Sequence, residues 1–322
     1  MKLSPLLTIA AVMLTIAGIA TCSGQTLTET TWEVINDDYS RQELFDENII
    51  PAKLREDANQ PADNTTSLAI PKDFVFPDDA RYDRVLLKER ENSIFGIDIS
   101  HHTGPNIKFT NLRLQRVLYV YAKATQGTGF KDRMFGTYWN QLASLPENQK
   151  VYRGAYHFLT ADSPGNAQAK SFLDYLELHG GLKPNDMPPC VDLEWDKTSS
   201  NPDRWIGHAP EEIVQNALEW LKEVKRRTGR KPMIYTALSW WRDRGIPVEK
   251  IELFKDYTIW LADYSKSHKA SEKPALIGTR TQDIWQFADN AKLSTGYPSG
   301  TVDANIFYGT FEQFKAAFDL AN

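Results

Sequence analysis

Between Ile94 and Phe307 the chain carries eight short runs rich in β-branched and aromatic residues: Ile94–Ser100, Val117–Thr125, Arg153–Leu159, Pro189–Trp195, Lys231–Ala237, Tyr257–Tyr264, Asp283–Phe287 and Thr301–Phe307. Runs of this length and composition read as strands. Helical patterns lie between several of them. The clearest is Pro210–Thr228, with proline in the first turn, Glu211 and Glu212 next, apolar Ile213, Val214, Ala217, Leu218, Leu221 and Val224 at helical spacing, and Lys225, Arg226, Arg227 and Gly229 at the end. These features match the capping and dipole rules. Ser163-Pro164 opens a second helix over Pro164–His179, and Thr310-x-x-Gln313 is a capping-box start for the last one. Strand and helix alternating over about 230 residues predict parallel strands, because each helix returns the chain to the same edge. Eight of them predict a closed α/β barrel. The last three are separated by weaker helical patterns, so the expected barrel is irregular rather than a full (β/α)8 one.

Composition permits this fold and narrows the partners. Apolar residues make up 41% of the 322-residue chain and charged ones 25%, ordinary values for a globular core. A net charge of -5 and a pI near 5.8 argue against nucleic acid, whose binders carry a basic stripe. The basic stretch Lys222–Arg230 needs no partner, being a helix C-terminus. The two cysteines, Cys22 and Cys190, lie far apart and suggest no disulfide framework.

The N-terminal third reads differently. Met1 to about Ala20 has Lys2 ahead of an apolar run and small residues at Gly18 and Ala20, the pattern of an export signal over residues 1–22. As a membrane anchor the run is short for a span of about 20 residues. Ile19-Ala20-Thr21-Cys22 resembles a bacterial lipobox with Thr in place of the usual small residue, so a membrane association is expected only if the signal is retained or Cys22 is lipidated. The expected location is exported: periplasmic, extracellular or lipoprotein-anchored. Residues 23–90 are polar and acidic with scattered prolines and read as a linker or loosely ordered arm, within which Asp73–Phe76 is a candidate for packing on the following domain, 91–322.

Polar residues gather near the ends of the strand runs: Asp98, His157, Asp192 with Glu194, Tyr264, Gln286, and Asp303 with Asn305. In a strand, residues at i and i+2 share a face, so Asp192 projects with Glu194, Cys190 below them, and Asp303 projects with Asn305. Barrel enzymes collect their chemistry at one rim, so these side chains predict an acid-rich pocket. Carboxylates without an activated serine or cysteine motif favour acid-assisted cleavage of an acetal. Glu194 is the candidate general acid, a role that requires Asp192 or an apolar wall such as Trp195 to keep it protonated. A lone D-x-E triplet is common and decides nothing by itself.

Taken in order, FGIDISHH (95–102), YAKATQGTGFKD (121–132), GAYHF (154–158), PPCVDLEW (188–195), IYTA (234–237), WLADY (260–264), IWQF (284–287) and VDANIFYGT (302–310) resemble glycoside hydrolase family 25, the Chalaropsis-type lysozymes. The resemblance implies a (β/α)5(β)3 barrel and hydrolysis of the β-1,4 bond after N-acetylmuramic acid in peptidoglycan glycan strands. Separately, a monomer is expected, with no cofactor and no metal. The resemblance also implies the family's acidic roles for Asp98, Asp192, Glu194 and Asp303, with Glu194 as acid/base, and substrate-groove positions for Tyr156, His157, Tyr264 and Gln286; Tyr235 and Asn305 complete the expected binding set. Two departures stand out: Gln126 replaces the glutamate of the usual KATEG, and the loop His101–Phe109 lacks the usual acid and tryptophan near its end.

Other readings stay open at this stage. D-x-E pairs also serve other acetamido-sugar hydrolases of the chitinase or N-acetylglucosaminidase type, and a non-catalytic wall-binding barrel is a third reading. The second carboxylate is either a covalent nucleophile or the group that orients the substrate's own 2-acetamido. His101, His102 and His157 lack metal-site spacing and read as hydrogen-bonded pocket residues. Cys190 reads as a small buried hydrophobe, and Trp240-Trp241 either stack on sugars or fill the core.

Overall fold

The computed structural model describes residues 69–197, 202–297 and 300–321. The export signal, Cys22 and most of the expected arm lie outside the described residues. All eight strands are present: β1 Ser93–Ile99, β2 Val117–Gln126, β3 Tyr152–Phe158, β4 Cys190–Asp192, β5 Met233–Thr236, β6 Thr258–Ala262, β7 Ile284–Leu293 and β8 Val302–Tyr308. From β1 to β7 each strand runs parallel to the next. β8 is antiparallel to both β7 and β1 and closes the barrel. This corrects the expectation of parallel strands throughout. Only residues 294–301 link β7 to β8, whereas a parallel crossover takes about a dozen residues or more.

Helices α1 Phe135–Ala143, α2 Gly165–Leu178, α3 Pro210–Thr228, α4 Leu238–Asp243 and α5 Lys266–Ser271 follow β2 to β6 in turn, and α6 Phe311–Ala317 follows β8. α3 has the bounds its sequence predicts and ends at Gly229, whose φ of 70° lies in the left-handed region that glycine tolerates. α6 begins with the expected reciprocal cap: the Thr310 hydroxyl accepts the Gln313 backbone N–H at 3.2 Å and the Gln313 side-chain Oε1 accepts the Thr310 backbone N–H at 2.8 Å.

Aromatic rings fill the barrel because small residues on neighbouring strands leave them room. A Cβ on Gly96 would meet the Tyr119 ring at 2.2 Å, and one on Gly154 would meet the Tyr121 ring at 2.3 Å. Tyr119 packs on Phe314 of α6 at 5.4 Å between centroids, which plugs the end where β1 starts. One layer up, the Tyr121 hydroxyl donates to the Pro188 carbonyl at 2.9 Å and its ring meets Trp260 at 4.9 Å. The barrel is thus solid below the opposite rim, where the carboxylates stand.

Outside the barrel, no helix among the described residues separates β7, β8 and β1, and the chain covers this wall with the end of the expected arm. Val75–Phe76 pairs in parallel with Lys292 and Leu293 of β7. Phe74 and Phe76 are fully buried; the Phe74 ring lies 5.6 Å from Phe95 of β1 and 4.9 Å from Phe287 of β7. Arg90 anchors the return, its Nε donating to the Asp79 carbonyl at 3.0 Å and its guanidinium pairing with Glu272 at 2.6 Å. Residues 69–80 are therefore a strap whose Ile70, Phe74, Phe76 and Ala80 pack into the core, so the packing expected of Asp73–Phe76 extends to its neighbours, while Arg84–Glu89 is exposed and the chain is anchored again at Arg90.

Candidate active site

Asp98 is the second-last residue of β1, and the ladder to β8 sets it directly opposite Asp303. Directly opposed residues hold their Cβ atoms about 4.5–5.5 Å apart, a placement that is destabilising for like charges and so marks a functional requirement. Asp303 stands at the beginning of β8, not its end. It reaches the catalytic rim because β8 runs against its neighbours, so its amino end lies beside their carboxyl ends.

One oxygen of Asp98 accepts two buried amide donors, Gln286 Nε2 and Asn305 Nδ2, each at 2.8 Å. The amides are themselves held. Gln286 Oε1 accepts the hydroxyls of Tyr235 at 2.7 Å and Tyr264 at 2.6 Å, and Asn305 Oδ1 accepts the Trp260 indole N–H at 2.9 Å. Every member of this network has a partner, so it fixes the Asp98 carboxylate without leaving a buried polar group unsatisfied. Gln286 and Asn305 are wholly buried and serve Asp98 from below. Tyr156 and Tyr235 line a small pocket together with Asp98, Asp192 and Trp260.

Asp192 ends β4, and Glu194 lies two residues beyond it at a bend; both are buried. The Asp192 carbonyl accepts the Leu159 N–H and the Leu193 N–H donates to the Tyr235 carbonyl, both at 2.9 Å, so the ladder continues on both sides past the last strand residue. Cys190 sits beneath. Burial first, then the fields of Asp192 and Asp98, push its thiol well above the usual range, which keeps it a protonated packing group rather than a thiolate nucleophile.

His157 does not join the others. It lies on the opposite face of β3 from Tyr156 and is fully buried against α2 and α3, stacked on Trp220 at 5.7 Å. This overturns its expected place in the substrate groove. Gln168 Oε1 accepts from the Thr160 N–H at 3.0 Å and lies 3.1 Å from His157 Nε2, so the ring carries its proton on Nε2 and accepts the Thr125 hydroxyl at Nδ1, 2.7 Å away. Burial depresses the ring to about 3, against the opposing hydrogen bond to Gln168. The unfolded chain takes up this proton near pH 6.5 and the folded chain does not, so the contribution to stability is complete above that pH and is lost as pH falls toward 3. His157→Gln is expected to flatten this acid loss, of the order of 4 kcal/mol at most, in urea midpoints measured between pH 7 and pH 4. An unchanged slope would show that other groups set it.

Two residues of the site were not among the expected ones. Trp260 shares a face with Tyr264 by its i, i+4 spacing, a signal readable in WLADY, but a strand tryptophan reads first as core. Lys123, in register with Tyr156, is a buried ammonium whose hydrogen bond goes to Gln126 Oε1 at 2.9 Å and which lies over the Phe158 ring at 5.0 Å. The substituted Gln126 thus keeps an acceptor for Lys123. Trp240 and Trp241 are fully buried and fill the core. His101 pairs with Asp132 at 2.9 Å, and among the described residues no group of His, Cys, Asp or Glu could hold a metal ion. A roomier depression of about 420 Å³ lies at the other end of the barrel, beside Arg113, Lys150, Tyr152 and Phe311, away from the carboxylates.

The sequence model of Glycosyl hydrolases family 25 matches residues 97–295, more than half of the chain. The chain belongs to glycosyl hydrolases family 25. Within that family, Lysozyme M1 of Streptomyces globisporus is 29% identical over 240 residues, covering 72% of this chain and 72% of its own. The N,O-diacetylmuramidase of Chalaropsis is 33% identical over 156 residues, 46% of this chain and 68% of that one. The crystal structure of the bacterial lysozyme from Streptomyces coelicolor superposes with a TM-score of 0.58 at 28% identity, over 70% of this chain and 97% of that one. The protein is a glycoside hydrolase with the family's irregular barrel, and the carboxylates at its rim are the groups able to carry acid/base chemistry.

Proposed function

We propose that this family 25 enzyme is an exported muramidase that hydrolyses the β-1,4 bond between N-acetylmuramic acid and N-acetylglucosamine in peptidoglycan. What supports this reading is that Asp98 and Asp192 line one small pocket with Tyr156, Tyr235 and Trp260, with Asp303 paired opposite Asp98 and Glu194 buried two residues beyond Asp192. The lysozyme and muramidase names of the relatives support the substrate. Glu194 protonates the leaving glycosidic oxygen and then takes a proton from the incoming water. Asp192, two residues earlier, reaches the same sugar and orients its 2-acetamido group to attack the anomeric carbon. Asp98, held by two amides, and Asp303 opposite it place negative charge where the sugar cation develops.

Export rests on the Met1–Ala20 run, and membrane attachment follows only from its retention or from lipidation of Cys22. The net charge of -5 gives no pull toward nucleic acid, and the proposed form is a monomer.

Digestion of purified peptidoglycan tests the reading: the new reducing ends are expected to be N-acetylmuramic acid. N-acetylglucosamine there would assign the enzyme to a different acetamido-sugar specificity. Substrate lacking the 2-acetamido on the muramyl sugar is expected to react at least about a hundredfold more slowly, whereas equal rates would favour a protein nucleophile.

A further inference from the structure

Glu194 lies beyond the end of β4, so the ladder that fixes Asp192 and Leu193 does not run through it, and the chain after it is fastened by side chains instead. The Trp195 indole donates to Asp243 at 2.9 Å. Asp196 is gripped through backbone and side chain: its N–H donates to Asp203 at 3.0 Å, its carbonyl accepts the Arg204 N–H at 3.0 Å, and its buried carboxylate accepts Arg204 Nη2 at 2.7 Å and the Ala161 backbone N–H. The other arm of the same guanidinium, Nη1, donates to Asp162 at 3.1 Å.

Asp162 belongs to the neighbouring loop, between β3 and α2. It accepts the Thr160 hydroxyl at 2.5 Å, and Thr160 is tied to Gln168 of α2 through its N–H at 3.0 Å and its carbonyl at 2.8 Å. A continuous chain of polar contacts, Gln168–Thr160–Asp162–Arg204–Asp196, therefore joins a barrel helix to the backbone two residues past Glu194. Burying the Asp196 carboxylate is costly, and a buried ion pair is a poor source of stability but an effective means of fixing one geometry.

We propose that Arg204 is a positioning residue for the reaction: by spanning Asp162 and Asp196 it locks the two rim loops together and holds the Glu194 carboxyl in its working position. This rests on the role of Glu194 in the proposed muramidase. Arg204 does not touch substrate in this account. A displacement of a catalytic group by about 1 Å costs about a hundredfold in rate, so the strap acts on turnover rather than on affinity.

The test uses Arg204→Ala, Arg204→Lys, Asp162→Asn and the Arg204→Ala/Asp162→Asn double variant, with kcat and KM measured on soluble peptidoglycan fragments. Arg204→Ala is expected to lower kcat by about 10- to 100-fold while KM stays within about threefold. Lysine, which reaches only one of the two carboxylates, is expected to restore part of the loss. The double variant is expected to be no worse than Arg204→Ala, because both changes cut the same strap. An unchanged kcat in Arg204→Ala, a rise in KM alone, or additive losses would overturn the proposal. Should Arg204→Ala fail to fold, Asp162→Asn at the half-exposed end of the strap gives the same reading. Amide exchange at Leu193–Asp196, expected to be slow in the native chain and to quicken in the variants, separates the two ideas: a native protein with no muramidase activity overturns the function, while unaltered exchange in the variants overturns the strap.

Discussion

Glu194→Gln is expected to abolish peptidoglycan solubilisation, with kcat down by about three orders of magnitude, within the 10²–10⁴-fold range that a single general acid supplies. The amide keeps the size and the hydrogen-bonding reach of the carboxyl but cannot deliver a proton to the leaving oxygen, so KM should change little. The fold should persist, because Glu194 lies beyond the last residue of β4 and the flanking ladder contacts are made by backbone groups of Asp192 and Leu193. Turbidity clearing of purified peptidoglycan, with circular dichroism on the same samples, reads both results. Native-like clearing by the variant would remove Glu194 from the mechanism. Binding of the variant to peptidoglycan without clearing, beside clearing by the native enzyme, would show that the substitution removed only the chemistry.

The second large effect concerns the strap of residues 69–80. Phe74 and Phe76 are fully buried, and their rings cover Phe95 and Phe287 on a wall between strands that, among the described residues, no helix separates. Phe76→Ala is expected to cost about 3–5 kcal/mol, the usual price of emptying a buried phenylalanine site. Phe74→Ala should cost a similar amount. The two rings touch, with centroids 4.9 Å apart, so the double variant should lose less than the sum. Even so, it should forfeit a large share of a stability that for a typical domain is only about 5–15 kcal/mol. Urea unfolding checks this directly. A loss below about 1 kcal/mol in Phe76→Ala would show that the wall is covered adequately without the strap.

The strap shows how local sequence signals mislead about an arm. Residues 23–90 are acidic and proline-containing, which reads as a linker, and only Asp73–Phe76 hints at packing. The decisive fact is elsewhere: β7, β8 and β1 follow one another without helices, so their outer face needs a cover, and the chain segment preceding β1 supplies it. The acid constellation was more legible. Asp303 and Asn305 share a face through the two-residue period of β8, whereas Asp192 and Glu194 were legible as a spacing although β4 itself ends at Asp192. His157 was misplaced for the converse reason: a one-residue difference in strand phase exchanges the interior and the exterior, and nothing within GAYHF states which of Tyr156 and His157 points inward.

The polar network beneath the site follows the same division. Asp98, Gln286 and Asn305 are visible as polar residues in strand runs, but the bonds from Gln286 and Asn305 to one Asp98 oxygen span 188 and 207 positions in sequence. Contacts of that range depend on the register of closure. The Arg204 strap is of the same kind, since neither Asp162 nor Asp196 lies in a recognisable motif.

By itself the amino-acid sequence determined the eight strands, the bounds of the long helix, the polar residues near the strand ends and, through ordered motifs, the family; each is a matter of local periodicity or local chemistry. Only the tertiary structure decided that β8 runs backwards and so brings Asp303 opposite Asp98, that His157 faces the helices, and that Ile70, Phe74, Phe76 and Ala80 of the arm belong to the core. The physical reason is that a strand's period settles which residues point together, while the direction in which they point is settled by pairing with distant strands and by which apolar wall would otherwise be left facing water.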